Sequence, residues 1–237
     1  MTPVRPTFIR LKGDIKMKPF ERLFLLMSQP RVILMSLLLV ILTYYYVDRS
    51  LALWIYHHHF QEKFVLLKSL TLLGENLLVL GCLVSLALMF RYLKPKQLWE
   101  ERAWFLSLCV LVPNLICLVL KVLLGRARPE LFLQDGVYGF FGFHTHSIYW
   151  SLPSGHTTTV MSLAFGLSIL FPKRTFAFIM LALCIVATRI LLLKHFASDV
   201  MTASFLSIIE VGIVELVVLK RYQYFKLVQR MTVGAHE

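Results

Sequence analysis

Six long apolar stretches, each broken off by charge, proline or polar residues, limit what this chain can fold into. They run over residues 31–47, 64–90, 103–124, 156–171, 175–193 and 199–219. A helix needs about 20 mainly apolar residues to cross the hydrocarbon of a bilayer, and most of these stretches approach or exceed that length. The fourth is short but framed by Pro153 and Pro172. With 58% of 237 residues hydrophobic and only 16% charged, the chain could not hide its apolar surface as a water-soluble globule. A soluble enzyme is excluded, and so is a disordered or fibrous chain, since neither is rich in Leu, Ile, Val and Phe. The expected fold is all-α, a six-helix transmembrane bundle.

Three regions follow from the pattern. Residues 1–30 form a basic segment ending in a short amphipathic interfacial helix at about residues 20–27. No short apolar core followed by a small-residue cleavage site marks a signal peptide there. Residues 31–219 form the membrane domain, and 220–237 a tail. If the amino terminus is cytoplasmic, 17 of the 25 Lys and Arg residues fall on that side. The positive-inside rule then puts both termini in the cytoplasm. Seven of the eight histidines lie on the opposite face. The net charge of +12 belongs with the membrane surface rather than with nucleic acid. Cys82, Cys109, Cys117 and Cys184 all sit inside apolar stretches, with neither a disulfide framework nor a CxxC pattern.

Three clusters of polar residues fall on the outer face. Lys121 to Arg128-Pro129 closes the third stretch, Pro153-Ser154-Gly155-His156 opens the fourth, and Arg189, His195 and Asp199 span the turn from the fifth to the sixth. Helix count brings all three to one membrane face, where they suit a phosphoryl group. Lys121, Arg128 and Arg189 would neutralise its charge. Ser154 and the N–H of Gly155 stand at a helix amino terminus, a natural anion site. One histidine would attack phosphorus while another protonates the leaving oxygen. Asp199, four residues after His195, would orient that imidazole if the segment is helical. Taken singly, each cluster also has an ordinary reading: interfacial anchors, helix-start punctuation, and an i,i+4 pair.

Together they resemble the type 2 phosphatidic acid phosphatase superfamily, whose members include membrane lipid phosphatases and soluble vanadium haloperoxidases. The matching pattern is Lys-x6-Arg-Pro, Pro-Ser-Gly-His and Arg-x5-His-x3-Asp, carried by Lys121, Arg128, Pro129, Pro153, Ser154, Gly155, His156, Arg189, His195 and Asp199. Thr188 departs from it, because the family usually has Ser before the arginine. The resemblance implies that His195 is the nucleophile, steadied by Asp199, and that His156 is the general acid. It also implies that Lys121, Arg128, Ser154, Gly155 and Arg189 bind the phosphoryl oxygens, with no metal or other cofactor. The implied activity is hydrolysis of a phosphate monoester or pyrophosphate on a membrane lipid, through a phosphohistidine. Family members of this size suggest undecaprenyl pyrophosphate, phosphatidylglycerol phosphate, phosphatidic acid or lipid A as substrate. The expected location is a bacterial inner membrane, with the site facing the periplasm or exterior. A lipid-to-lipid phosphotransferase would use the same residues. A haloperoxidase or a non-catalytic binding protein fits the chain less well.

Other features carry less. His57-His58-His59 resembles a metal tract but reads better as an interfacial loop, since successive helical residues point in different directions. Glu75, Glu210 and Glu215 fall within the apolar stretches and are functional suspects by position. The aromatic loop at residues 131–152 is expected to hug the membrane and cover the site.

Overall fold

The computed structural model describes residues 17–59 and 74–233. Among these residues the chain is helical: α1 (Pro19–Met27), α2 (Pro30–Leu42), α3 (Asp48–His57), α4 (Asn76–Tyr92), α5 (Gln97–Leu124), α6 (Pro129–Asp135), α7 (Gly155–Leu170), α8 (Thr175–Leu191) and α9 (Ala197–Val233). Four segments are long and apolar enough to cross a membrane: Pro30–His57, Gln97–Leu124, Pro172–Leu191 and Ala197–Val218. The fold is that of an integral membrane protein. Its outer faces agree, since Leu34 and Met35 on α2 are 65% and 69% exposed, a surface suited to lipid rather than water.

The boundaries differ from expectation in three places. The first apolar stretch was expected to end near residue 47, yet α2 and α3 run on as one rod to His57, joined by a π turn at Thr43–Val47. That widened turn shifts the helix register, and Asp48 just beyond it is buried at 1% exposure. The second stretch appears as α4, beginning at Asn76, and its expected start at residues 64–73 lies outside the described residues. The fourth is α7, only 16 residues long. It packs against α5, α8 and α9, so much of its surface meets protein, and its polar Thr157, Thr158, Thr159 and Ser162 are buried there.

The short amino-terminal helix exists as α1, but it does more than lie at an interface. Phe20 is 1% exposed and joins the core built from Val160, Phe165, Ile185 and Val211. Its ring centroid lies 5.7 Å from that of Phe165. Burying one such ring stabilises the docking of α1 by about 2 kcal/mol.

Candidate active site

Gly125 ends α5 in the left-handed conformation, with φ at +53°. A Cβ there would strike the carbonyl oxygen of Gly142, so glycine alone lets the aromatic loop close against this turn. The loop is fastened by backbone bonds: Phe141 N donates to Gly125 O at 3.0 Å, Ala127 N to Gly139 O at 3.1 Å, and Arg128 N to Ile148 O at 3.0 Å. It therefore lines the site as a structured wall, with Trp150 at the cavity and Phe143 still 69% exposed.

A cavity of about 360 Å³ opens beside this turn. Lys121, Arg128, Gly155, His156, Arg189 and His195 all line it. The structure thus gathers six of the eight expected site residues, from three separate clusters, around one space. Lys121 reaches the amino terminus of α7 so closely that a Cβ on Gly155 would sit 3.1 Å from its Nζ. The ammonium and the helix N-terminus therefore face the same region, and both attract anions.

The other two expected residues stand behind the cavity. Ser154 is fully buried as the cap of α7 and accepts a hydrogen bond from Thr157 Oγ1 at 3.0 Å. Asp199 is also fully buried. His195 does not belong to a helix with it but to the turn before α9, where its N–H bonds Arg189 O at 3.3 Å. The expected His195–Asp199 bond is absent as such, because His195 Nδ1 and Asp199 Oδ2 are 3.7 Å apart. Nδ1 instead donates to the carbonyl of Ser151 at 2.8 Å. Asp199 secures that partner by accepting from Ser151 Oγ at 2.6 Å, and it also accepts from Phe196 N at 2.8 Å. A carbonyl acceptor fixes the proton on Nδ1, which leaves the Nε2 lone pair available as a nucleophile.

The sequence reading passed over Arg126, which is the centre of the buried network. It is fully buried and donates to Asp199 Oδ1 at 2.5 Å, to Ser198 Oγ at 2.7 Å and to Asp48 Oδ2 at 2.6 Å. Ser198 in turn donates through its backbone to Asp48 at 3.0 Å and through its hydroxyl to the same carboxylate. The rings of Tyr44 and Phe196 lie 4.9 Å from the guanidinium. Burial works against the Arg126 charge, but Asp199 and Asp48 outweigh it and raise its pKa. Burial lowers the pKa of Arg128, with Asp199 and Glu130 opposing. Burial also pushes the His195 imidazole down to about 4, against the pull of Asp199. His195 is thus neutral at physiological pH.

Glu75, a suspect by position alone, caps the start of α4, lines the cavity and places Oε2 3.1 Å from His156 Nε2. Glu210 is buried with its Oε2 unpartnered among the described residues. Thr188, the departure from the family pattern, is buried and donates to the carbonyl of Ile185 in its own helix at 2.5 Å. His57 and His58 place Nδ1 2.7 and 2.8 Å from the carbonyls of Leu53 and Trp54, closing the end of α3.

Comparison with known proteins gives the same direction as the motifs. The chain is 38% identical over 96 residues to lipid A 1-phosphatases of Rhizobium johnstonii and Rhizobium etli. The match covers 40% of this chain and 39% and 41% of those relatives, so it spans about two fifths of their length. A crystal structure described as the first transmembrane PAP2 type phosphatidylglycerolphosphate phosphatase, from Bacillus subtilis, aligns with a TM-score of 0.47 and 20% identity. That alignment covers 85% of this chain and 92% of the other. The model of the PAP2 superfamily matches residues 102–223, a stretch that holds all three polar clusters and more than half of the chain, which therefore belongs to that superfamily.

Proposed function

We propose that this chain hydrolyses a phosphate monoester or diphosphate carried by a membrane lipid, through a phosphohistidine on His195. The observation that carries the reading is the single cavity lined by Lys121, Arg128, Arg189, His156 and His195. Its wall continues into Leu111, Leu115 and Leu118 on α5, which are 37%, 54% and 47% exposed. A phosphoryl site that shades into a lipid-facing helix surface favours a substrate delivered from the bilayer. The relatives named as lipid A 1-phosphatases support lipid A or a similar glycolipid phosphate as a first substrate to test.

In this mechanism His195 Nε2 forms a bond to phosphorus as the P–O bond to the leaving group breaks. His156 gives its proton to the departing oxygen, then takes one from the water that cleaves the phosphohistidine and frees phosphate. Lys121, Arg128, Arg189 and the α7 amino terminus hold the equatorial oxygens, where preorganised charge acts most strongly in the transition state. Asp199 acts through Ser151 and Arg126 to keep His195 in place. Six spans, cytoplasmic termini and a site facing the periplasm or exterior complete the proposal, with the expected three-region organisation of the chain.

The test is free phosphate release by purified protein from a panel of lipid phosphates, with acid-quench trapping of labelled protein. Release together with a phosphoprotein that vanishes in His195→Asn is the expected result. EDTA should leave the rate intact, since three cations already supply the charge a metal would bring. Transfer of the label to a second lipid without phosphate release would assign a transferase instead.

A further inference from the structure

Glu75 is the only carboxylate among the described residues that line the cavity. Its side chain is half exposed, and its Oε2 lies 3.1 Å from Nε2 of His156. Besides the Cys117 thiol, the remaining charged or imidazole groups around the space are Lys121 from α5, Arg128 from the turn that follows it, Arg189 from α8 and His195 from the turn before α9. These four are cations or a neutral imidazole, and they suit the phosphoryl group itself. Glu75 does not.

The position of Glu75 follows the leaving group instead. If His156 protonates the departing oxygen, that oxygen must approach the same Nε2 that Glu75 now contacts. The next atoms of the leaving group then come within reach of the carboxylate. A carboxylate accepts hydrogen bonds from hydroxyl and amide N–H groups and repels an anion. A monoester releases a neutral alcohol there, whereas a diphosphate releases a second phosphate.

We infer that Glu75 is a specificity-determining residue, placed beside His156 to favour phosphate monoesters whose leaving alcohol carries a hydrogen-bond donor next to the scissile oxygen. The same carboxylate disfavours diphosphates, whose leaving group is an anion. The inference rests on the reading of His156 as the proton donor to the leaving group.

The experiment compares kcat/KM of the full-length protein and of Glu75→Gln and Glu75→Ala on four lipids in detergent micelles. A glucosamine-based glycolipid 1-phosphate and lysophosphatidate each carry an adjacent donor. Phosphatidate is neutral in its leaving group but lacks the donor, and a prenyl diphosphate has the anionic one. The unaltered protein should prefer the first two. Removing the charge should raise the ratio of diphosphate to donor-bearing monoester hydrolysis about tenfold, the effect of one charge interaction in a partly buried site. Because the readout is a ratio within one preparation, loss of folded protein cancels. A ratio within twofold of the unaltered protein's, or four rates that fall together, would overturn the role of Glu75 and leave it a simple brace for the His156 ring. No phosphate release from any of the four by the unaltered protein would overturn the hydrolase reading itself, and the selectivity with it.

Discussion

In the proposed mechanism His195 works under two opposing demands, since a nucleophile must be unprotonated yet become cationic once it bonds to phosphorus. Burial favours the neutral ring and brings its pKa to about 4, while Asp199 favours the charged one. Burial dominates in the free protein. The Ser151 carbonyl holds the Nδ1 proton at 2.8 Å, so the neutral tautomer is the reactive one. Charge that develops on the ring during attack is met by Asp199 3.7 Å away. The acid limb of kcat/KM assigned to His195 should therefore fall below about pH 5, well under the ordinary histidine value of about 6.5. A profile measured from pH 3.5 upward checks this, and a midpoint near 6.5 for that limb would contradict it. Stability carries the same sign. The folded-state pKa is depressed, so as pH falls from about 6.5 towards 4 the unfolded chain binds a proton that the folded one refuses, and the contribution is lost across that window. His195→Asn should abolish that part of the pH dependence of stability and cut hydrolysis by at least a thousandfold, as losing a nucleophile does.

At the scale of elements, Arg126 binds three pieces of the chain to one another. Asp48 comes from the start of α3, Asp199 and Ser198 from the first turn of α9, and Arg126 from the turn after α5. One cation between two buried carboxylates is a cluster of net charge −1, and its two substitutions should differ accordingly. Arg126→Met leaves two buried carboxylates facing one another and should cost about 3–5 kcal/mol. Asp48→Asn brings the cluster to neutrality and should cost less. Thermal unfolding of the purified variants in detergent checks the order, and equal losses would mean that packing rather than charge sets the cost. The contrast also explains what could be read without a structure. Lys121, Arg128, His156 and Arg189 stood out because each belongs to a short pattern of fixed spacing. Asp48 and Arg126 are separated by 78 residues and share no pattern. The available signal was an acid within an apolar helix, which requires a partner, and the Arg two residues before Arg128. The four-residue spacing of His195 and Asp199 left a shared helix face open, whereas the carbonyl of Arg189 draws the backbone of residues 194 and 195 into a turn.

Across the whole molecule, chemistry and charge separate by end. The carboxyl ends of α5 and α8 and the amino ends of α7 and α9 carry the site, so the alternation of helix direction brings four separate stretches to one face. The apolar stretches from residue 103 onward made this alternation legible in the sequence. They could not give the docking of α1, because nothing in its local pattern reveals that Phe20 enters the core beside Phe165. The opposite end carries Arg91 in the last turn of α4, Lys94 after it, Lys96 before α5, and Lys173 and Arg174 between α7 and α8. The proposed orientation puts this end in the cytoplasm, the side on which the positive-inside rule expects Lys and Arg to gather. On the proposed orientation the site faces outward, and its substrate would lie in the outer leaflet. Two single-cysteine variants test this in a background where the four native cysteines are replaced by alanine. Phe143 is 69% exposed on the site-side loop, and Lys94 is exposed on the other side. Phe143→Cys should react with a membrane-impermeant maleimide in spheroplasts, while Lys94→Cys should react only after the membrane is opened. The reverse pattern would turn the molecule over and require the phosphoryl group to be removed from lipids of the cytoplasmic leaflet. Retained phosphatase activity in both variants, measured on the same preparations, ensures that the labelling reports the orientation of folded protein.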